Sequence, residues 1–436
     1  MIIVGVAFVV GIGSVIQNHK TQLTASVAIL FQNTARAAST SKFGFNGFFL
    51  EGIVKDKNLN DDVAAIDTVL TATDAAWIRF PRGTGANTYV FDLAAPGFGD
   101  DSSFSKTYTD NFIVNYADIA HALHTKTDYV INMAAHFPSY YGGTSFMPPR
   151  LRNKSDADLI KMNVDAVEYL IDHGVAVPYI ELGNELYASN LSPNRNSLVT
   201  GKTLAQVTTV MKPEMDRFED LSKQYITAFD ALAARKSVSF KYGVPALPPL
   251  GDMTKPIFNG SLANRNIYWN QRVSSIPGVD GLVIHWYSNF GPCKSILNKS
   301  DFLNCENQTS ITDISQLGVA IDRTRATYPN KELWFTEFNA GFGYENDPQI
   351  NGSGFINSPA HIKYIRDLMT MFKNKNVDLY TFHMLFGSTA KEYAVVNKIV
   401  STTAVKINPN AGLYAQPSIC GLIAPTSTYY TMFKCQ

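Results

Sequence analysis

Two short stretches of this sequence put carboxylates where chemistry could use them. "YIELGNELY" at residues 179–187 carries Glu181 and Glu185 four residues apart at the end of an apolar run, and "LWFTEFNAG" at 333–341 carries Glu337. Two carboxyl groups facing each other across a cleft can divide the cleavage of a glycosidic bond. One protonates the leaving oxygen while the other attacks the anomeric carbon. Attack by the carboxylate itself needs the groups about 5–5.5 Å apart, against about 6.5–9.5 Å when water attacks. Each residue also has a plainer reading: Glu185 as a helix cap or solvated loop acid, Glu337 as a salt-bridged scaffold residue. The convergence of two such residues with a strand, a glycine and Asn184 favours catalysis.

The elements that would bring these residues together can be read from hydrophobic period. Short β-rich runs at 42–49, 76–80, 129–134, 179–183, 238–244, 281–287, 332–338 and 379–385 predict eight strands. Helical spacing separates them, as in Leu159, Met162, Val167, Leu170 and Ile171, in Met215, Phe218, Ser222, Tyr225, Phe229 and Leu232, and in Ile362, Ile365, Met369 and Phe372. A last helix is expected over 425–433. Strand followed by helix, repeated eight times, predicts an α/β fold of the (β/α)₈ TIM-barrel type in one domain over residues 39–436. The ends of strands four and seven then place Glu185 and Glu337 at the barrel mouth. Alternation along a strand puts Glu181, Gly183 and Glu185 on one face, here the interior. Glu181 would lie one layer deeper, where a carboxylate needs a partner, and Arg79 of a neighbouring strand is the available cation.

These motifs resemble those of the retaining glycosidases of clan A: "ELGNE" and "TEFN" are similar to the acid/base and nucleophile motifs of strands four and seven. "WIRFPRGTGANTYVFD" at 77–92 resembles the second-strand segment of heparanase-like β-glucuronidases, and also that of arabinofuranosidase and xylosidase families, while "IHWY" at 284–287 is similar to their sixth-strand motif. The resemblance implies Glu185 as acid/base, Glu337 as nucleophile, Asn184 as the amide on the sugar 2-hydroxyl, and Arg79 as the cation that keeps the nucleophile ionised. It places Tyr287 and His285 beside the nucleophile and implies a poly- or oligosaccharide substrate with no cofactor. Such relatives carry a β-sandwich after the last barrel helix, and no clear one is expected in this chain.

His285 is either a packed, hydrogen-bonded histidine or a substrate contact, and His136 and His383, near the ends of strands three and eight, present the same choice. Asn132, at the end of strand three, is a further candidate for substrate binding. His121, His124 and His173 fall on or just after helices and read as surface residues. Tyr140, Tyr141, Trp286, Phe342 and Tyr344 could stack on sugar rings or simply pack, and Arg82, Arg150 and Arg152 read as solvated loop charges that could also meet an acidic sugar.

Thirty-seven basic residues balance thirty-seven acidic ones, so no net field draws the chain to nucleic acid or to an anionic membrane. Residues 1–38, with two apolar stretches and the small residues Ala35 to Ala38, predict a secretory leader or a signal anchor. Four cysteines fit a secreted or periplasmic chain with two disulfides, Cys293–Cys305 and Cys420–Cys435 being the preferred pairing among three, and six sequons permit glycosylation without requiring it. There is no HExxH, GxSxG or P-loop pattern and no His/Cys spacing for a metal.

Overall fold

The computed structural model describes residues 40–47, 59–91, 97–98, 112–187, 198–247, 263–288, 299–340, 359–383, 386–387, 396–398, 413–415, 419–423 and 426. The leader, the helix expected over 425–433 (Thr426 apart) and the cysteine pairings, which involve Cys293 and Cys435, lie outside them. Cys305 and Cys420, the two described cysteines, are not free thiols.

Eight parallel strands close into a barrel. They are β1 (Phe43–Asn46), β2 (Trp77–Phe80), β3 (Lys126–Val130), β4 (Ala176–Glu181), β5 (Lys241–Pro245), β6 (Gly281–Ser288), β7 (Glu332–Ala340) and β8 (Leu379–Phe382). Each is hydrogen-bonded to the next in sequence, and β8 closes on β1. A helix follows every strand: α1 (Leu59–Thr73), α2 (Phe112–Ala122), α3 (Asp156–Asp172), α4 (Leu204–Lys236), α5 (Ala263–Ser274), α6 (Lys299–Thr327), α7 (Pro359–Asn374) and α8 (Ile419–Leu422). This is the expected (β/α)₈ barrel. A small sheet of 386–387, 396–398 and 413–415 sits in sequence between β8 and α8. No helix of the described residues is long and apolar enough to cross a membrane.

The predicted helix faces turn to the barrel: Met215, Phe218, Ser222, Tyr225, Phe229 and Leu232 of α4 are all buried, as are Ile365, Met369 and Phe372 of α7. Inside, the N-terminal end is plugged by aromatic rings, with Tyr179 between Trp77 and Trp334 at centroid distances of 4.7 and 4.8 Å. Trp334 fits because β5 and β6 present glycines: a Cβ on Gly243 or Gly281 would lie 2.3 or 2.5 Å from its ring. Above this plug the lining turns polar, and there the site begins.

Three strand starts differ from expectation by three residues, β5 beginning at Lys241 rather than 238. β3 begins at Lys126 rather than 129, because the polar Lys126, Thr127 and Asp128 pair with β2 and the last two point into buried space, a placement that apolar-run counting misses. β4 runs from Ala176 to Glu181, so Gly183, Asn184 and Glu185 lie past its end.

Candidate active site

Arg79 of β2 organises the interior. Its guanidinium reaches past β3 to β4, giving Nε to Glu181 Oε1 at 2.8 Å and Nη2 to Glu181 Oε2 at 2.6 Å. Nη1 donates to Glu337 Oε1 at 2.6 Å, and Nη2 also to Asn184 Oδ1 at 2.9 Å. The expected Arg79–Glu181 pair is therefore present, although the two strands are next but one in the sheet. Bidentate pairing fixes the plane of the fork, and the remaining nitrogen presents a positive charge to Glu337.

Both glutamates are aimed by irregular backbone. β7 carries Trp334 into the barrel at the plug, and strict alternation would point Glu337, an odd number of residues further, outward. The ladder to β6 shifts register between the pairs Val283–Trp334 and His285–Glu337, a bulge that turns Glu337 inward. After β4 the chain turns at Gly183 (φ 106°) and again at Glu185 (φ 47°), both in the left-handed region. A Cβ on Gly183 would stand 2.9 Å from Met133 Cβ, so the position requires glycine on both counts. The alternation inferred for Glu181, Gly183 and Glu185 therefore stops at Glu181. Past the strand, Asn184 is buried onto Arg79 while the Glu185 side chain keeps 32% of its surface exposed.

Glu337 is surrounded by donors. Tyr287 OH donates to its Oε2 at 2.5 Å and Asn46 Nδ2 to its Oε1 at 3.3 Å, while His285 Nδ1 and His383 Nδ1 each lie 3.7 Å from Oε2. His285 Nδ1 is also 2.7 Å from Glu185 Oε1, which makes this imidazole the bridge between the two acids. One side-chain ligand atom from each of Glu185, His285 and Glu337 lies within 4.8 Å of the others. Such a trio could hold a cation, but here its atoms are engaged by one another, by Arg79 and by Tyr287.

Burial alone would push the Glu337 carboxyl up, but His285, His383, Arg79 and the Tyr287 hydrogen bond outweigh it and hold it down to about 2. Burial lowers His285, yet the Glu337 charge and the Glu185 hydrogen bond more than offset this and raise it above the ordinary imidazole value. The buried Tyr287 hydroxyl, pushed well up by burial and by the Glu337 charge, stays protonated as a donor. One acid is thus held firmly ionised, and the other is hydrogen-bonded to an imidazole whose own proton is held more tightly than usual.

Of the residues singled out by sequence, Arg79, Asn184, Glu185, His285, Tyr287, Glu337 and His383 come together. Asn132 and His136 do not join them. Asn132 caps the short helix Met133–His136, accepting from Ala135 N at 3.1 Å and donating to Tyr89 O at 2.9 Å. His136 has both ring nitrogens engaged away from the pair, with Asp156 Oδ1 at 2.7 Å and Tyr225 OH at 2.9 Å, and ties the β3–α3 connection to α4. Trp286 points outward to Asp313 Oδ2 of α6 at 3.0 Å, and Arg82 is buried rather than solvated. His121, His124 and His173 are exposed, as expected, and Phe342 and Tyr344 lie outside the described residues.

Sequence reasoning missed Asn46 at the end of β1 and Gly83 in the β2–α2 connection. A Cβ on Gly83 would lie 2.3 Å from Glu337 Oε1. The signal for both was position alone: a polar residue or a glycine at a strand's C-terminal end.

No family model and no curated protein matches the chain. Among solved structures it is similar to a GH51 arabinofuranosidase from Xanthomonas axonopodis pv. citri at 15% identity and TM-score 0.46, covering 78% of this chain and 62% of that one. It is similar to a family 51 α-L-arabinofuranosidase from Bifidobacterium longum at 11% identity and TM-score 0.45, covering 84% and 68%. A third similar structure is Bacteroides uniformis β-glucuronidase 2, at 10% identity and TM-score 0.40, covering 76% and 30%.

Proposed function

We propose that the chain is a retaining glycoside hydrolase acting on an oligo- or polysaccharide outside the cell, with Glu337 as nucleophile and Glu185 as acid/base. The observation that carries this reading is the contrast within one pair whose oxygens lie within 4.8 Å. Glu337 is buried, ionised and gripped by Arg79 and Tyr287, and Glu185 is open to a leaving group and backed by His285. That spacing suits direct attack better than attack by an intervening water. Glu337 displaces the leaving oxygen from the anomeric carbon while Glu185 protonates it. Glu185 then takes a proton from water, which opens the glycosyl ester.

Asn184 supports the scheme: its Oδ1 is held by Arg79, and its buried Nδ2 has no partner among the described residues, so an N–H is available to a sugar hydroxyl. The donor set around Glu337 is prebuilt, which avoids reorganisation as charge moves during the reaction. By motif resemblance the first substrate class to try is β-glucuronides, with arabinofuranosides, xylosides and endo-acting cleavage of polysaccharides next, since specificity lies in loops rather than in the barrel.

The test is a screen of aryl glycosides and acidic polysaccharides with the product anomer followed by NMR. Retention is expected, and an inverted product would remove the double displacement. Glu185→Ala should lose about 10²–10⁴-fold in turnover, with azide restoring activity on an activated substrate. Azide rescue of Glu337→Ala with retained stereochemistry would reverse the two roles. A mechanism-based fluoroglycoside that fails to label Glu337 while sugar still binds would instead indicate a carbohydrate-binding protein without turnover.

A further inference from the structure

Behind the nucleophile the barrel buries more acid than Arg79 alone neutralises. β3 lies between β2 and β4, and its Asp128 is in register with Arg79, while Val130 two residues on is in register with Glu181. Asp128 thus occupies the span that Arg79 crosses to reach Glu181. Arg79, Asp128 and Glu181 are all fully buried. The nitrogens of Arg79 are committed to Glu181, Glu337 and Asn184. Neither oxygen of Asp128 receives an N–H or O–H from any described residue. Its polar neighbour is the Glu181 carboxyl, which when ionised can only accept.

Two carboxyl groups sealed together, one of them without a donor, are compatible only if a proton lies between them. The local charges say where it rests. Burial and the adjacent Glu181 charge both push Asp128 well up. Burial acts on Glu181 in the same sense, but Arg79 outweighs it and holds Glu181 ionised. The other titratable groups that feel Asp128 are the Tyr116 and Tyr179 hydroxyls, both raised chiefly by burial and neutral.

We propose that Asp128 and Glu181 share one proton, with Asp128 the neutral carboxylic acid whose O–H fixes Glu181 and, through it, the Arg79 fork that faces Glu337. Asp128 is then a positioning residue. As a neutral acid it braces the pair without adding a second negative charge behind the guanidinium, so Arg79 keeps its attraction for Glu337. The positioning role rests on Glu337 being the nucleophile, whereas the shared proton does not.

The experiment is infrared spectroscopy of the full chain at neutral pH, with carbon-13 aspartate labelling in the unaltered protein. A carbonyl stretch of a protonated carboxylic acid, shifted by that label, is expected, and it should vanish in Asp128→Asn and persist in Glu185→Gln. Its absence from the unaltered protein, or its persistence in Asp128→Asn, overturns the proposal whether or not any glycoside is cleaved. On a substrate found by the screen, Asp128→Asn should leave kcat, KM and both limbs of the pH–rate profile in place, because an amide N–H replaces the O–H. A downward move of either limb by about one pH unit or more is the sign left by removing a negative charge, and would show that Asp128 is ionised. Failure of Asp128→Asn to fold would also count against it, since the substitution is neutral for neutral.

Discussion

At the scale of single residues the site is a division of labour among side chains of similar chemistry. Glu181, Glu185 and Glu337 differ less in type than in company: a full guanidinium fork for the first, one imidazole for the second, and a ring of donors for the third. The sign of each shift gives a pH dependence. The Glu337 value, depressed to about 2, contributes stability above the ordinary carboxylate range that is lost only as pH falls through about 2. The nucleophile is therefore not what limits activity in mild acid. His285 is raised, so its contribution is full below the ordinary imidazole value and is lost as pH climbs through the raised one. Because His285 bonds Glu185, that same deprotonation changes the donor beside the acid/base and should mark the alkaline limit of activity. His285→Gln removes the group whose raised titration sets that alkaline limit, so the alkaline limb of its pH–rate profile should move. An alkaline limb that stays in place would separate His285 from proton supply.

At the scale of elements, the close fit between the β2–α2 connection and the tip of β7 sets the nucleophile. Gly83 combines φ −65° with ψ −112°, outside the α and β regions open to residues with a Cβ, and a Cβ there would stand 2.3 Å from Glu337 Oε1, so the position favours glycine on both counts. Gly83→Ala should leave the fold intact by circular dichroism and displace the carboxylate from Arg79. A misplacement of roughly 1 Å can cost about 10²-fold in kcat, and undiminished kcat would show that Glu337 has room to move. This contact could not be read from the sequence, because it depends on two segments more than 250 residues apart. The eight strands, their parallel order and the two tip glutamates were legible, since each follows from local period. What escaped was irregularity. The β7 bulge and the left-handed turn at Gly183–Glu185 break the alternation on which facing arguments depend, and Asp128 was invisible because a buried acid resembles a loop residue in any hydrophobic count. Asn132 and His136 were selected for lying near a strand end, but the chain there winds into a short helix that turns both onto the scaffold.

At the scale of the whole molecule, a chain without net charge gathers Arg79, Asp128, Glu181 and Glu337, all buried, in the upper half of one barrel. The aromatic plug of Trp77, Tyr179 and Trp334 closes one end, and the Arg79 cluster occupies the layer between plug and mouth. Buried ion pairs stabilise little against an apolar alternative but are costly to break, because the surviving charge stays buried. Removing one partner typically costs about 3–5 kcal/mol, a large share of the roughly 5–15 kcal/mol that holds a domain folded. Glu181→Gln should accordingly lower the denaturation midpoint, with a loss at the small end of that range. Its amide can still accept from Arg79, and Asp128, no longer facing a carboxylate, becomes free to ionise and take over the pairing. Turnover should fall far less than in Glu337→Ala, because Arg79 still reaches the nucleophile. A Glu181→Gln protein that keeps its full denaturation midpoint but loses activity would show that Glu181 serves the reaction directly, and would return it from the scaffold to the active site.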